Sequence, residues 1–341
     1  MKNEIALGVD LGWVSQLEAR GVRWVDDGNN PIDPILAARE KGANTVRLRV
    51  FVNPPDSALW TKKDGTVCML GFADAQSVLQ MSLRAKNAGM KLMIDFHYSD
   101  HFADPQYQDI PEGWKNDDIN GLCEKVRQHT KDVLGLLTNS GIYPEWVQVG
   151  NEINPGILLP VGDIKNSPEN LALLLNAGYN AAKECCPDTK VVTHIACVHS
   201  KKWCDPFFTT FFEKGGKTDI LGFSYYPYWY RMFSNANDCD LFYNPLIYYS
   251  QKYNKPVMVC EVGGPQTEAE ETYNLLLNTI EAVKQVPNHQ GVGVFYWEPE
   301  VGAELLPDRY PLGAALPVPE ISENTLRYTK ALSAYRDAFI K

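Results

Sequence analysis

The sequence predicts an α/β protein, a single (β/α)8 TIM barrel with long βα loops spanning residues 1–341. Three observations carry that expectation. Eight short runs rich in Val, Ile and Leu, uninterrupted by proline, recur along the chain, as strands buried on both faces require. Segments with apolar residues at helical spacing lie between them. No composition shift, linker or short-period repeat divides the chain, so the length beyond the roughly 250 residues typical of this fold falls in loops.

The eight expected strands cover 5–10, 45–51, 91–96, 146–149, 190–194, 220–225, 257–261 and 291–297. The first expected helix, 31–42, has proline near its start and Gly42 just past its end, which frames a helix. Helical patterns at 74–88, 121–138, 168–185, 206–214, 240–253, 268–286 and 323–340 complete eight strand–helix pairs. The longest loops are then 52–72, 97–120, 150–167 and 298–322.

Composition narrows the function. The 45% hydrophobic content supports a full core, and no run of about 18 uncharged apolar residues predicts a membrane span. A formal charge of −10 without a basic cluster argues against nucleic acid and anionic membranes as partners. A neutral, hydrogen-bonding substrate fits better. Aromatic residues make up 11% of the chain, and many, including Trp60, Trp114, Tyr226 and Trp229, stand beside Gly, Pro, Asn or Asp. Such residues pack cores and anchor loops, and they also offer flat platforms for sugar rings. None of the eight cysteines forms a C-x-x-C pair or a zinc-like spacing, so mostly free, buried thiols are expected. The first residues lack the apolar stretch of a signal peptide, which fits either a cytoplasmic protein or a mature form whose leader was removed.

In this fold, function sits at the carboxyl ends of the strands. Those ends read Asp10; Arg47 and Arg49; Asp95 and His97; Asn151 and Glu152; His194; Ser224 and Tyr226; Glu261; and Trp297. Alternation puts Arg47 with Arg49, Asp95 with His97, and Ser224 with Tyr226 on common faces. Glu152 ends the fourth strand and Glu261 the seventh, on roughly opposite sides of the barrel mouth. Two facing carboxylates suit glycoside hydrolysis, with a separation of about 5 Å implying retention and a larger one inversion. Asn151 is placed to bond a sugar 2-hydroxyl, and Trp297 to floor the sugar site. Tyr226 and Arg47 are expected to hold Glu261 ionised, while burial and Glu261 raise the pKa of Glu152.

These residues sit in longer stretches: GVD at 8–10, QLEARG at 16–21, NTVRLR at 44–49 with VNP at 52–54, DFHYSD at 95–100 with ADP at 103–105, VQVGNEI at 147–153, GFSYYPYW at 222–229 and FYWEP at 295–299. From Gly8 to about Pro299 the chain resembles glycoside hydrolase family 53, the arabinogalactan endo-β-1,4-galactanases of clan A. The resemblance implies retaining hydrolysis of β-1,4-galactan or galacto-oligosaccharides, with Glu152 as acid/base and Glu261 as nucleophile. The substrate-binding set it implies is Arg47, His97, Asp100, Phe102, Asp104, Asn151, Tyr226 and Trp297. No cofactor is implied. Some relatives bind calcium after the seventh strand, but 262–273 is short and lacks a run of Asp and Asn, so no metal is expected there. A monomer, exported with its leader absent from this chain, completes the expectation.

The chain departs from the family at Phe102, Leu159 and Val301, where Trp is usual, and at Val262-Gly263-Gly264 after the nucleophile. If those three positions border the cleft, sugar subsites are weakened. That keeps open a clan A β-glycosidase acting on short galacto-oligosaccharides or another β-linked glycan. A non-catalytic carbohydrate-binding protein is disfavoured by the intact Glu152, Glu261, Asn151, Arg47 and Trp297.

Overall fold

A computed structural model describes residues 5–230 and 240–339. Eight parallel strands close a barrel: β1 (Ala6–Asp10), β2 (Thr45–Val50), β3 (Lys91–Phe96), β4 (Trp146–Val149), β5 (Lys190–Ile195), β6 (Ile220–Tyr225), β7 (Val257–Val262) and β8 (Gly291–Tyr296). They neighbour one another in chain order, and β8 pairs with β1. All eight expected strands are present, with ends shifted by at most one residue.

Alternation along each strand builds two cores. Outward residues such as Val9, Val46, Leu48, Ile94, Val147 and Leu221 pack beneath the helices. Inward residues Ala6, Met93, Val192, Ile220, Met258, Cys260 and Phe295 fill the barrel interior. Gly8 is required there, because a Cβ at that position would lie 2.0 Å from Cδ1 of Phe295. Above this apolar layer, Asp10, Arg47, Asp95, Gln148, His194 and Ser224 point inward and are all buried. The strand ends therefore form a polar layer on an apolar plug.

The helices are α1 (Pro34–Glu40), α2 (Ala75–Asn87), α3 (Ile119–Asn139), α4 (Pro168–Cys185), α5 (Lys201–Glu213), α6 (Asp240–Tyr253), α7 (Ala269–Lys284) and α8 (Ala334–Asp337). Asp33, Asp74 and Asp118 cap the starts of α1, α2 and α3 by accepting backbone N–H bonds. Proline opens α1, but α5 begins five residues before Pro206, which sits inside it.

The expected helix at 323–340 is largely something else. Ser322–Tyr328 is a strand, followed by a 3-10 turn at Lys330–Ser333 and then the four-residue α8. That strand runs parallel to Arg23–Val25 and antiparallel to Ala315–Val318 in a four-stranded sheet. Leu326 and Tyr328 are buried with period two, so pairing with a distant segment outweighs local helix preference. A short helix at Val14–Ala19 and a hairpin of Leu59–Thr61 with Val67–Met69 add structure where loop was expected. Seven cysteines among the described residues are free thiols, five of them buried; Cys239 lies outside the described residues.

Candidate active site

Register brings the polar strand ends together. Asp10 on β1 pairs with Arg47 on β2, and Arg49 with Asp95 on β3. Arg47, 1% exposed, is the hub. Its Nη1 donates to both Asp10 oxygens at 3.1 Å and to Glu261 Oε1 at 3.2 Å. Its Nη2 donates to Asp95 at 2.9 Å, Gln148 Oε1 at 3.0 Å and Asn151 Oδ1 at 2.9 Å, and also reaches Glu261. Three carboxyl groups thus surround one guanidinium. Burial pushes Asp10 well above the ordinary range, against the attraction of Arg47, with Glu298, Glu261 and Asp95 adding to the rise.

Glu261, 5% exposed and next to last in β7, sits between two donors: Arg47 on Oε1 and the Tyr226 hydroxyl on Oε2 at 3.0 Å. Burial raises its pKa to about 7, while Arg47 and Tyr226 pull it down. The expected pull of Arg47 and Tyr226 toward the charged form is present, but desolvation outweighs it and the pKa rises.

Glu152 stands differently. It lies three residues past the end of β4, after Gly150 at φ +83, and itself adopts φ +46. A non-glycine residue there is strained, and the turn lifts the carboxyl into the cleft. Oε1 meets Ser224 Oγ at 2.5 Å. Burial first, then the charge of Glu261, push its pKa well above the ordinary value, as the sequence led us to expect.

A cleft of about 560 Å3 opens over both carboxyl groups, within the usual range of ligand sites. His97, Phe102, Asp104, Asn151, Tyr226 and Trp297 of the expected substrate-binding set line it. Two members do not. Arg47 lies beneath the floor, holding Glu261. Asp100 accepts the backbone N–H groups of Asn53 and Glu112, at 3.0 and 2.8 Å, and so ties two loops together. His97 receives the Ala103 N–H on Nδ1 at 2.9 Å, so its Nε2–H donates to Asp95 at 3.0 Å.

Of the three family departures, Phe102 borders the cleft. Val301 is fully buried in the outer core, and Leu159, half-buried with its N–H on Gln108 O at 2.8 Å, is not among the lining residues. Sequence reasoning placed those two in the cleft and missed others. Trp13 and Tyr310 both line it and pack edge-on against Trp297, with centroids 5.2 and 4.7 Å away. Trp229, 51% exposed, and Tyr230 line it as well. The aromatic cluster at 225–230 signalled Trp229 and Tyr230, whereas Tyr310 sits in a loop with no pattern to reveal it.

The match to known families completes the picture. The model of glycosyl hydrolase family 53 covers residues 6–335. The chain belongs to glycoside hydrolase family 53. It is 33% identical to an arabinogalactan endo-β-1,4-galactanase of Cellvibrio japonicus, with 86% of this chain and 80% of that one covered. It is 31% identical to one of Thermothelomyces thermophilus, over 86% of this chain and 88% of that one. Among solved structures, a fungal β-1,4-galactanase superposes with a TM-score of 0.84 at 26% identity, covering 98% of this chain and all of the other. The family 53 catalytic domain of Ignisphaera aggregans gives 0.81 at 25% identity, covering 99% and 97%. As a family 53 member the chain is a glycoside hydrolase, with the barrel expected from the sequence.

Proposed function

We propose that the chain is a retaining endo-β-1,4-galactanase acting on the galactan of type I arabinogalactan, with Glu261 as nucleophile and Glu152 as acid/base. The observation that carries the roles is the unequal surroundings of the two carboxyl groups. Glu261 is gripped by a guanidinium and a phenol, which favour its charged form. Glu152 meets a neutral hydroxyl, and burial with the neighbouring charge keeps its proton on. Two carboxyls pushed apart in this way divide the acid and nucleophile roles.

In the first step Glu261 attacks the anomeric carbon, the glycosidic C–O bond breaks, and the leaving oxygen takes the Glu152 proton. In the second, the Glu152 carboxylate takes a proton from water, which displaces Glu261 from the sugar. The side-chain amide of Asn151 gives one hydrogen to Ala103 O at 2.9 Å and keeps another for a sugar hydroxyl. Trp297, braced by Trp13 and Tyr310, provides the apolar floor, and Trp229 a second platform. The whole chain acts as one catalytic unit and as a monomer, and it meets its polymeric substrate outside the cell. No helix among the described residues is long and apolar enough to cross a membrane.

The test is a substrate panel of β-1,4-galactan, galactobiose through galactohexaose, and β-glucans, read by product chromatography. Rapid release of mixed short oligosaccharides from galactan is expected. Cleavage confined to the shortest substrates, or preference for a glucan, overturns the assignment.

A further inference from the structure

His194 and Ser224 are buried in the barrel mouth, and the two chemical steps leave them without a part. We propose that a hydrogen-bond chain running from Glu152 through Ser224 and His194 to Asn151 Oδ1, an oxygen that also accepts from Arg47, holds Glu152 in its protonated form. This inference rests on the assignment of Glu152 as acid/base.

Direction is fixed at the Asn151 end, because the Arg47 guanidinium only donates. Arg47 Nη2 donates to Asn151 Oδ1 at 2.9 Å, and the Asn151 amide nitrogen donates to Ala103 O, so the amide orientation is settled at both ends. His194 Nδ1 lies 2.8 Å from the same Oδ1, and a carbonyl oxygen can only accept, so Nδ1 carries the hydrogen. Gln148 Nε2, 3.1 Å from Nδ1, is the competing donor. Its own hydrogens have nearer acceptors, Asp95 Oδ1 at 2.6 Å and Asn151 Oδ1 at 3.0 Å. A lone pair on Nδ1 would also face the lone pairs of Asn151 Oδ1 across 2.8 Å.

The rest follows link by link. Burial, and then the charge of Arg47, hold His194 well below the usual imidazole range, so the ring is neutral and Nε2 bears a lone pair. Ser224 Oγ lies 2.8 Å from Nε2 and gives it the one hydroxyl hydrogen. An ionised Glu152 would take the Ser224 hydrogen and have its pKa lowered by it, but with that hydrogen committed to His194, Ser224 turns a lone pair toward Glu152 Oε1 at 2.5 Å. Two oxygens that close need a proton between them, and Glu152 supplies it. The charged and titratable groups around Glu152 are Glu261, Asp104 and Arg47, with Cys197, Tyr226 and Tyr230 sensing its charge. The carboxylates favour the proton and Arg47 opposes it.

His194 and Ser224 are therefore positioning residues. When Glu152 passes its proton to the leaving oxygen, Ser224 must either face the new carboxylate with a lone pair or turn its hydrogen away from His194. Either cost makes the carboxylate a stronger base toward the incoming water.

Two readouts test this. In enzyme labelled with 15N-histidine, proton–nitrogen correlation spectra report the ring tautomer, with His194 assigned by substituting the other histidines in turn. A neutral Nδ1–H ring from pH 5 to 8 is expected; an Nε2–H tautomer or a charged ring overturns the chain. In Ser224→Ala the alkaline limb of kcat/KM should move down by about 0.5 pH unit or more, since the acceptor that favours the acid form is gone. Ser224→Thr, which keeps the hydroxyl, should restore it. A limb that stays in place or moves up overturns the proposal, because it would mean that Ser224 donates to a carboxylate. Loss of azide rescue in Glu152→Ala would instead overturn the acid/base assignment and leave the tautomer result standing.

Discussion

At the residue scale, the two glutamates carry distinct expectations. Glu261→Gln keeps the shape and the neighbours but cannot form the glycosyl ester, so hydrolysis should fall by several orders of magnitude while oligosaccharide binding persists. Calorimetric titration with galactohexaose checks the second half, and lost binding would mean that the site itself has collapsed. Glu152→Ala should cost about 10²–10⁴-fold on galactan, whose leaving group needs protonation. An activated aryl galactoside should lose less and should be rescued by azide, which attacks without a general base. The pH profile follows from the same pair. The nucleophile must be ionised, so activity appears as pH rises through the Glu261 pKa, raised to about 7 by burial. The acid must be protonated, so activity is lost again as pH rises through the Glu152 pKa, which burial and the charge of Glu261 raise well above the ordinary glutamate value. An acid limb of kcat/KM at ordinary glutamate values would contradict the buried, desolvated setting of Glu261.

At the element scale, the barrel was legible because its strands are buried on both faces and polar residues gather at or just beside their carboxyl ends. The catalytic pair was legible for the same reason: Glu152 and Glu261 terminate apolar runs. What escaped were features set by partners far along the chain. The strand Ser322–Tyr328 exists through its pairing with Arg23–Val25, which no local pattern announces. The hairpin in the loop after β2 did leave a signal, Asp64-Gly65, with Gly65 at φ +89. Leu159 and Val301 were misplaced because family position alone cannot show which way a loop side chain turns. The C-terminal strand makes its own prediction. Leu326 is fully buried, so Leu326→Ala should cost about 2–5 kcal/mol and lower Tm. The kcat and KM of the folded variant should be unchanged, because the strand lies outside the cleft lining. A changed KM would show that this sheet reaches the substrate.

At the scale of the whole molecule, the site works against the fold. Glu152, Glu261 and Asp10 all bind protons more tightly in the folded state than in the unfolded chain. Between the unfolded carboxyl range and the raised folded values, the unfolded chain has released protons that the native state still holds. Stability contributed by these groups is therefore present at acid pH and falls as pH rises toward 7 and beyond. Glu261→Gln, neutral at every pH, should raise Tm relative to the parent, and the gap should widen between pH 5 and 8. A constant gap would mean that Glu261 is not desolvated as described. The central claim, that Glu261 forms the covalent bond to the sugar, is tested most directly by trapping. Incubation with an activated 2-deoxy-2-fluoro galactobioside, followed by peptide mass spectrometry, should find one glycosyl adduct on the peptide containing Glu261 and none in Glu261→Gln. An adduct on another residue would contradict the account, as would a complete absence of label together with first-formed galactan products of inverted configuration.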